Sequence, residues 1–571
     1  MDGTVWKDYR GNEAHLLIPE GVTDIGENAC SCLSSLESVR LPDGLARIGS
    51  GAFEGCRNLA SVYLPKGLTR IGDAAFWRCQ NLTEITIPES VESIGDGAFF
   101  GCRGLASAVL PEGLAHIGGR AFEGCASLTE ISVPASVESI GDHAFAGCTS
   151  LRRITLPYAL ASEFANLFDG DNGQRLPDSL EEVVITRGQI PASAFRGCAG
   201  LKKVSLPDGI ASLPDSLFDG CASLSEISVP RSVTSIGNRA FRGCDGFVVL
   251  SVPDGVARIG DEAFAECRNL AAVSLPESTV RLGAGAFSGC ASLISVRLPE
   301  SLRRIEARTF SGTGLEETVI PEGISSVGDG AFSDCKRLRC AAVPESVTHI
   351  GRRAFAGCES LQTASLPQSC AGIGKEVFLG CKSLRDVSMP YAPQKEPAAK
   401  KAAAVHFSWF FYAPESMSAA EIWPERVPKT LESVTVTGGK VPPGAFAYCD
   451  TVKRVSLPKG TAAVGCDTFS GCSALEKAVL PESLQKIGGR AFSGCAALGE
   501  ISLLESLTEI GNEAFAGCVS LTEVRIPKNV RSVGRAAFRG CRSLRGVSYP
   551  SGLDTGVCGL PILCRKTKYR P

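Results

Sequence analysis

Cysteine is the residue type with the greatest chemical capacity in this chain of 571 residues, which has 25 cysteines and five histidines. Eighteen of the cysteines occupy one register of a repeated motif. A small, apolar thiol at a fixed repeat position is typical of a packed interior. Thiols stacked on parallel strands point alongside one another, so the spacing favours reduced core thiols over a disulfide framework. The eighteen are Cys56, Cys79, Cys102, Cys125, Cys148, Cys198, Cys221, Cys244, Cys267, Cys290, Cys335, Cys358, Cys381, Cys449, Cys472, Cys495, Cys518 and Cys541.

The remaining cysteines and the histidines form no recognisable catalytic or metal-binding constellation. Cys30 with Cys32, and Cys558 with Cys564, could each hold a metal or form a bridge, but no second pair nearby completes a zinc site. Cys30 stands where later repeats have phenylalanine, which favours core filling. The histidines lie in separate repeats without a neighbouring nucleophile. We therefore predict no catalytic, cofactor-binding or metal-binding residue and no enzymatic activity.

The thiols belong to the motif Leu-Pro-x-x-Leu-x-x-Ile-Gly-x-x-Ala-Phe-x-Gly-Cys-x-x-Leu-x-x-Val, which recurs about 22 times between Ile18 and Ser548. One such unit cannot bury its apolar side alone, so repeats of this length stack into a solenoid. The apolar spacing of three and four within a unit resembles a helix. Pro42 and Gly49 in the representative unit exclude a helix of that length and predict turns instead.

Each unit ends in a predicted strand. In the representative unit Leu59, Val62 and Leu64 point inward by alternation, and Pro65 ends the strand because it cannot donate a ladder hydrogen bond. Twenty of the 26 phenylalanines, Phe53 among them, share one repeat position and predict a continuous aromatic spine.

These features predict an α/β-type repeat solenoid: a leucine-rich-repeat horseshoe or rod of about 22 rungs, with a parallel β-sheet on one face and short turns or 3-10 segments on the other. The run Leu110 to Cys125, LPEGLAHIGGRAFEGC, resembles the BspA-like (Treponema-type) leucine-rich repeats of bacteria and some parasitic protists. The resemblance covers residues 18–548. It implies a right-handed solenoid, a place on secreted or surface proteins, a role in adhesion, and no enzymatic activity of the repeat.

The repeat pattern divides the chain into five predicted segments. Two stretches, 180–205 and 431–456, share 12 of 26 residues and each follows an interruption, which indicates a duplicated larger module. The segments are a lead-in strand or cap over 1–17; the solenoid over 18–388, interrupted near 171–177; an aromatic and Ala/Lys-rich insertion over 389–430; the continued solenoid over 431–548; and a degenerate unit with a basic tail over 549–571.

The second interruption contains a cluster of aromatic residues that has two interpretations. If the cluster is exposed, it would be an anchor for a partner, because aromatic side chains that become buried in an interface contribute much of the binding energy. Folded back, it would cover the core where a rung is interrupted, which is the interpretation we favour. A helix over about 397–411 is predicted from the alanines and lysines. The candidate partner-binding residues are Phe407, Trp409, Phe410, Phe411, Tyr412 and Trp423.

The outward positions of the predicted strands form two columns, one rich in serine and threonine and one of mixed charge. A smooth, polar, weakly charged surface suits an extended protein or glycan ligand better than a small molecule. The competing interpretation is that serine and threonine are simply good strand residues on a solvated face. The candidate partner-binding residues here are Tyr63, Glu84, Glu130, Arg153 and Lys203.

Composition limits the function classes. A net charge of -3 and a pI near 6.1 give no electrostatic basis for binding nucleic acid. No apolar stretch is long enough to span a bilayer, so no membrane insertion is expected, and Met1 to Arg10 has acids where a secretory signal would be basic. We predict a non-catalytic interaction solenoid of the adhesion or surface-recognition type, with a cytosolic protein–protein scaffold as the alternative; the location stays open between cell surface, secreted and cytoplasmic.

Overall fold

A computed structural model describes residues 4–157, 164–168, 177–393, 405–412, 427–553, 556, 558–560 and 564–569. The chain divides into two compact units, Met1–Leu270 and Ala271–Pro571. Within each unit, successive rungs repeat the same path of two strands joined by turns, and equivalent strands pair in parallel. The predicted parallel-stranded leucine-rich-repeat solenoid is therefore confirmed. The non-strand side consists of turns, and the described residues contain 3-10 helix only at the two interruptions.

The predicted sheet, here called ladder A, is built mostly from three-residue strands whose middle residue points inward. In the first unit its strands are His15–Leu17, Ser38–Arg40, Ser61–Tyr63, Glu84–Thr86, Ser107–Val109, Glu130–Ser132, Arg153–Leu156, Glu182–Ile185, Lys203–Ser205, Glu226–Ser228 and Val249–Ser251. In the second unit they are Ala272–Ser274, Ser295–Val296, Glu317–Val319, Cys340–Ala342, Thr363–Ser365, Asp386–Tyr391, Ser433–Gly439, Arg454–Ser456, Lys477–Val479, Glu523–Arg525, Gly546–Pro550 and Arg565–Tyr569.

A second sheet, ladder B, was not predicted. Its strands have two residues, usually an exposed residue followed by a buried isoleucine or valine, and so short a run carries no periodicity. In the first unit they are Val5–Trp6, Asp24–Ile25, Arg47–Ile48, Arg70–Ile71, Ser93–Ile94, His116–Ile117, Ser139–Ile140, Ser212–Leu213, Ser235–Ile236 and Arg258–Ile259. In the second they are Arg281–Leu282, Arg304–Ile305, Ser326–Val327, His349–Ile350, Gly372–Ile373, Ala463–Val464, Lys486–Ile487, Glu509–Ile510 and Ser532–Val533.

The core lies between the two ladders and the turns, and each rung contributes the same side chains to it. The phenylalanine spine forms as predicted: Phe53 and Phe76 stack with ring centroids 5.4 Å apart and planes 8° apart, and Phe76 stacks on Phe99 in the same way. These rings are fully buried. Each buried ring stabilises the fold by roughly 2 kcal/mol or more.

The glycine that follows ladder B in most rungs accommodates the close approach of consecutive rungs. A Cβ at Gly49 would lie 2.7 Å from the carbonyl oxygen of Ile25 in the preceding rung. No real Cβ contact with a backbone oxygen is that short, so any larger residue would push the two rungs apart. The repeat glycine therefore allows the rungs to pack at their observed spacing.

All 25 cysteines are free thiols, and the eighteen of the repeat column are buried, as predicted. The structure adds a role that the sequence did not reveal, because most of these thiols donate a hydrogen bond to a carbonyl of the preceding rung. The Cys79 Sγ lies 3.3 Å from the carbonyl oxygen of Phe53, and the Cys102 Sγ lies 3.1 Å from that of Phe76. Where the column has Thr313, the hydroxyl donates to the carbonyl of Phe310 at 2.8 Å. The column is therefore a row of small donors as well as an apolar row.

At both interruptions ladder A continues, although extra residues separate its two consecutive strands in the sequence. Arg153–Leu156 pairs directly with Glu182–Ile185, and Asp386–Tyr391 pairs with Ser433–Gly439. A four-residue 3-10 helix, Phe164–Leu167, occupies the turn position at the first interruption. Of the interruption predicted near 171–177, residues 171–176 lie outside the described residues.

The C-terminal basic segment forms part of ladder A. Arg565–Tyr569 forms a strand that pairs in parallel with Gly546–Pro550. The Tyr569 hydroxyl donates to the carbonyl of Ile526, and the Arg525 guanidinium lies 5.5 Å from the centre of the Tyr569 ring. The basic side chains remain exposed, while the backbone hydrogen bonds of the ladder hold the segment in place.

Thiol labelling tests the cysteine column. Under native conditions we expect rapid reaction at the three exposed cysteines, Cys32, Cys340 and Cys466, and slow reaction at the column. Burial raises the pKa of the Cys102 thiol to about 12, so both access and the reactive thiolate are missing there. Mass spectrometry of alkylated peptides before and after denaturation would measure this. Fast native labelling at most column positions would contradict a buried column.

Candidate functional site

The candidate site is the strand face, defined as the outward side chains at the first and third residues of each ladder A strand. All five strand residues singled out from the sequence lie on it in the first unit. Tyr63 is 63% exposed, and Glu84 and Glu130 are exposed. The side chains of Arg153 and Lys203 are 52% and 48% exposed. The alternation of ladder A places them there because each buried middle residue turns its two neighbours outward.

The strand register brings the charged members of this face into one column. Glu130, Arg153, Glu182, Lys203 and Glu226 occupy equivalent positions on consecutive strands. Glu182 lies 3.6 Å from Arg153 and 3.4 Å from Lys203, and Lys203 also lies 4.0 Å from Glu226. Exposed pairs of this kind contribute about 0–1 kcal/mol each. Their main effect is to cancel the charge of the column, so the face has no strong potential of either sign.

The neighbouring column of hydroxyls borders a shallow depression in the first unit. Ser205 and Ser228 are in register on consecutive strands. The depression has a volume of ≈ 390 Å³ and is lined by these serines, by Lys203 and Glu226, and by Val249. It is open to solvent along the face and lacks the enclosure that holds a small ligand.

Sequence reasoning missed two members of an apolar stripe at the start of the same face, a row in which separate apolar side chains alternate with polar ones. Leu17 is 68% exposed and Val109 is 54% exposed, and with Tyr63 they occupy third-residue positions of their strands. Arg40 stands between Leu17 and Tyr63 in register. The alternation rule that identified Tyr63 would also have identified Leu17 and Val109. Exposed apolar side chains in one column are candidates for contact with a partner.

The aromatic insertion reaches the core through a 3-10 helix, Phe407–Phe410. The predicted helix over 397–411 differs from this observation: residues 397–404 lie outside the described residues, and His406 is extended, with φ -76° and ψ 150°. The Phe407 amide donates to the carbonyl of Ala445 at 2.7 Å, and the Phe378 amide donates to the carbonyl of Phe410 at 2.9 Å. The segment therefore fills the turn position between its two neighbouring rungs.

The side chains of this segment continue the phenylalanine spine across the interruption. Phe411 packs against Phe378 with ring centroids 6.0 Å apart, and Phe407 packs against Phe446 at 4.7 Å. Phe407, Phe410 and Phe411 are buried, as core cover would require. Trp409 and Tyr412 are half-buried, and Trp423 lies outside the described residues. Whether Trp409 and Tyr412 also contact a partner stays a prediction.

The described residues contain no group of three or more histidine, cysteine, aspartate or glutamate side chains that could hold a metal ion. The exposed histidines bond to neighbouring hydroxyls: His15 Nδ1 lies 2.9 Å from Ser38 Oγ, and His116 Nδ1 lies 2.8 Å from Ser139 Oγ. No helix in this part of the chain is long and apolar enough to cross a bilayer.

The fold and the strand face together define a leucine-rich-repeat solenoid. Proteins of this class stack their repeats on a common core and expose equivalent side chains in columns. The family model for the BspA type leucine rich repeat region matches residues 12–125, 69–175, 188–314, 303–395 and 439–555. Because these matches cover most of the sequence, the chain belongs to this family.

Solved structures of bacterial leucine-rich-repeat proteins are similar to this chain. A Bacteroides ovatus protein is 27% identical, with 77% of this chain and 92% of that one covered and a TM-score of 0.37. A leucine rich cell surface protein of Faecalibacterium prausnitzii is 19% identical, with 84% and 90% covered and a TM-score of 0.30. The Treponema pallidum leucine rich repeat protein is 31% identical over 37% of this chain and 78% of its own, with a TM-score of 0.21. No curated protein sequence matches this chain.

Alanine substitution of Phe410 tests the packing of the aromatic segment. Phe410 is fully buried and packs against Tyr391 and Phe407, with ring centroids 5.8 Å and 5.9 Å away. Phe410→Ala should lower the free energy of unfolding by about 3–5 kcal/mol because it leaves a cavity. Tyr412→Ala, at a half-buried position, serves as the matched control with a smaller effect. Urea unfolding would measure both, and equal stability of the Phe410 variant and wild type would contradict a core role.

His406 makes the stability of this segment sensitive to pH. Its Nδ1 accepts from the Ser408 amide at 3.1 Å, and its Nε2 donates to the carbonyl of Ala447 at 2.8 Å, so the neutral ring satisfies both partners. Burial lowers the pKa of His406 below its usual value of about 6.5. Because the pKa of His406 is lower in the folded state than in the unfolded state, the neutral ring favours the folded state. This contribution to stability is fully present above the unfolded-state pKa and is lost as the pH falls below that value.

We therefore expect a lower melting temperature at pH 5.5 than at pH 7.5, and a smaller pH difference in His406→Asn. The asparagine variant should also lose about 1 kcal/mol at pH 7.5, because its shorter side chain does not reach the carbonyl of Ala447. Differential scanning calorimetry at the two pH values would measure this. An identical pH difference in the variant would show that His406 does not carry the effect.

Proposed function

We propose that this protein is an adhesion or surface-recognition protein that binds an extended partner along the strand face. Membership in the BspA-type family supports the coarser statement, a non-catalytic repeat protein that acts through protein interaction. The observation that carries the proposal is the continuity of the strand face. In the first unit seven strands, from Glu84–Thr86 to Glu226–Ser228, form one sheet that passes through the interruption. At about 4.8 Å per strand they span roughly 30 Å.

The chemistry of the face supports an extended ligand of mixed polarity. Its charges are largely paired along the column, its hydroxyls are exposed, and its apolar side chains form a stripe rather than a pocket. Such a surface offers many weak contacts to a long partner and few strong contacts to a small one. A protein segment or a glycan chain lying across the strands meets both requirements.

A cytosolic scaffold is the second candidate, and the free thiols favour it. Cys32, Cys340 and Cys466 are exposed and unbridged. Exposed free thiols are typical of reducing compartments, whereas secreted proteins usually pair their cysteines. Fractionation of the producing cells, followed by blotting for the intact chain, distinguishes the two. Recovery in the surface or medium fraction supports the adhesion proposal, and recovery in the cytosol supports the scaffold.

Substitutions on the apolar stripe test the strand face itself. Tyr63→Ala and Val109→Asp should each weaken the binding of any partner captured by the intact chain by at least tenfold, or about 1.4 kcal/mol. Tyr448→Ala is the matched control, because Tyr448 is 54% exposed but lies on a turn. Surface plasmon resonance with the captured partner would give the Kd values. Loss of binding in the Tyr448 variant alone would place the partner away from the strand face.

A further inference from the structure

Positive charge is concentrated in the last part of this chain. Residues 525–571 contain eleven lysines and arginines and one acid, Asp554, whereas the whole chain has 58 and 61. The preceding 524 residues therefore contain 47 basic and 60 acidic residues. A charge asymmetry of this size indicates a polyanionic partner, which the net charge of the whole chain conceals. Ten of the eleven lie among the described residues and are here called the basic patch: Arg525, Lys528, Arg531, Arg535, Arg539, Arg542, Arg545, Arg565, Lys566 and Lys568.

The members of the basic patch lie close together along the stack of the second unit, and all ten are exposed. Arg565, Lys566 and Lys568 belong to the outer strand of a three-stranded parallel sheet. The other seven lie between residues 525 and 545, in the chain that joins the other two strands of this sheet. Parallel strands are about 4.8 Å apart, so the whole patch extends over about 10 Å along the stack. That is about one Debye length at 0.1 M salt, so the ten charges act on a partner together.

The seven cations between residues 525 and 545 are distributed around their rung instead of being gathered on one side. Arg531 directly precedes the ladder B strand Ser532–Val533, and Arg545 directly precedes the ladder A strand Gly546–Pro550. Arg539 lies in the turn between these strands. A linear polymer along one side of the rung would meet only a few of these charges. A planar anionic surface that faces the outer strand lies within the range of all of them.

The charges of the basic patch are not neutralised by the described part of the chain. Among the described residues only Arg525 of the ten has an ion pair, with Glu505 at 3.9 Å. Exposed bases in the preceding rungs do find acids, since the Lys486 ammonium lies 2.8 Å from a Glu509 carboxylate oxygen. Like charges held this close together repel one another and lower the stability of the folded state. Binding of an anionic partner would remove that repulsion.

The patch lacks the apolar and aromatic groups that other kinds of partner require. From residue 525 onward, the described residues include no exposed large apolar side chain. Tyr569 is half-buried, its hydroxyl donates to the carbonyl of Ile526, and the Arg525 guanidinium lies 5.5 Å from the centre of its ring. Single-stranded nucleic acids bind by stacking bases on free aromatic rings, and protein partners need a desolvated apolar anchor. A layer of anionic headgroups needs only exposed cations.

We propose that the basic patch binds the headgroups of an anionic lipid bilayer at the surface of that bilayer. Anionic lipids give a bilayer a negative surface potential that extends over about a Debye length. Each lysine or arginine held near such a surface strengthens binding about fivefold, so several of them together give stable attachment. The proposal rests on charge in the last rungs and not on the apolar stripe that includes Tyr63, so it stands or falls independently of the proposed function.

Co-sedimentation with lipid vesicles tests the patch. The intact chain should bind vesicles of phosphatidylcholine with about 30 mol% phosphatidylserine, and not vesicles of phosphatidylcholine alone. Binding should weaken at least tenfold when NaCl is raised from about 0.1 M to about 0.5 M, because salt screens the charges. A triple variant with Arg565→Gln, Lys566→Gln and Lys568→Gln should also bind at least tenfold more weakly. Its melting temperature should change little, since backbone hydrogen bonds hold the strand.

A second triple variant controls for the loss of net charge. Arg281→Gln, Arg304→Gln and Arg308→Gln remove the same charge from three exposed arginines in earlier rungs, which also have no carboxylate partner among the described residues. This variant should bind anionic vesicles as wild type does. If the strand variant fails to fold, a variant with Arg539→Gln, Arg542→Gln and Arg545→Gln takes its place, with the same tenfold loss expected.

Four results would overturn the proposal. They are equal binding to neutral vesicles, unchanged binding in a folded patch variant, an equal loss in the control variant, and binding of RNA or heparin by a chain that does not bind anionic vesicles. Tyr63→Ala should bind the vesicles as wild type does, whatever its effect on a partner of the strand face.

Discussion

The close approach of consecutive rungs is the constraint on which the rest of the structure depends. At the repeat glycine, the backbone of one rung packs directly on the backbone of the preceding rung. A Cβ at Gly49 would lie 2.7 Å from the carbonyl oxygen of Ile25, and a Cβ at Gly72 would lie 2.7 Å from the carbonyl carbon of Gly49. Parallel strands then repeat at about 4.8 Å, so each side chain stacks on the side chain at the equivalent position of the preceding rung. This is why identical residues recur at inward positions. The outward positions differ more freely between rungs.

The same constraint explains what could be predicted from the sequence. The residue types at inward positions such as Phe53 and Cys79 recur in most rungs, so their burial followed from the repeat alone. Ladder B escaped prediction because a two-residue strand such as Arg47–Ile48 is held by its neighbours and not by a periodic pattern of its own. The hydrogen bond from the Cys79 thiol to the Phe53 carbonyl also escaped, because a packed column of cysteines is already explained by size and apolarity.

The interruptions show where the repeat allows additional chain. Ladder A is preserved from Arg153–Leu156 to Glu182–Ile185, because losing those backbone hydrogen bonds would expose the inward side chains on both sides. The turn side is more permissive, and there Phe407 and Phe411 substitute for a spine residue. The sequence could not assign these rings, since an inserted residue has no repeat position from which its direction follows. The candidate site was more predictable on the strand face, where alternation determines direction.

The strand face can recognise a partner only through many weak contacts. On the strand face, paired charges such as Lys203 with Glu182 and isolated apolar side chains each contribute little, so affinity there has to accumulate over many strands. A long, regular ladder is suited to that mode, because a partner that follows the strands meets the same spacing at each step.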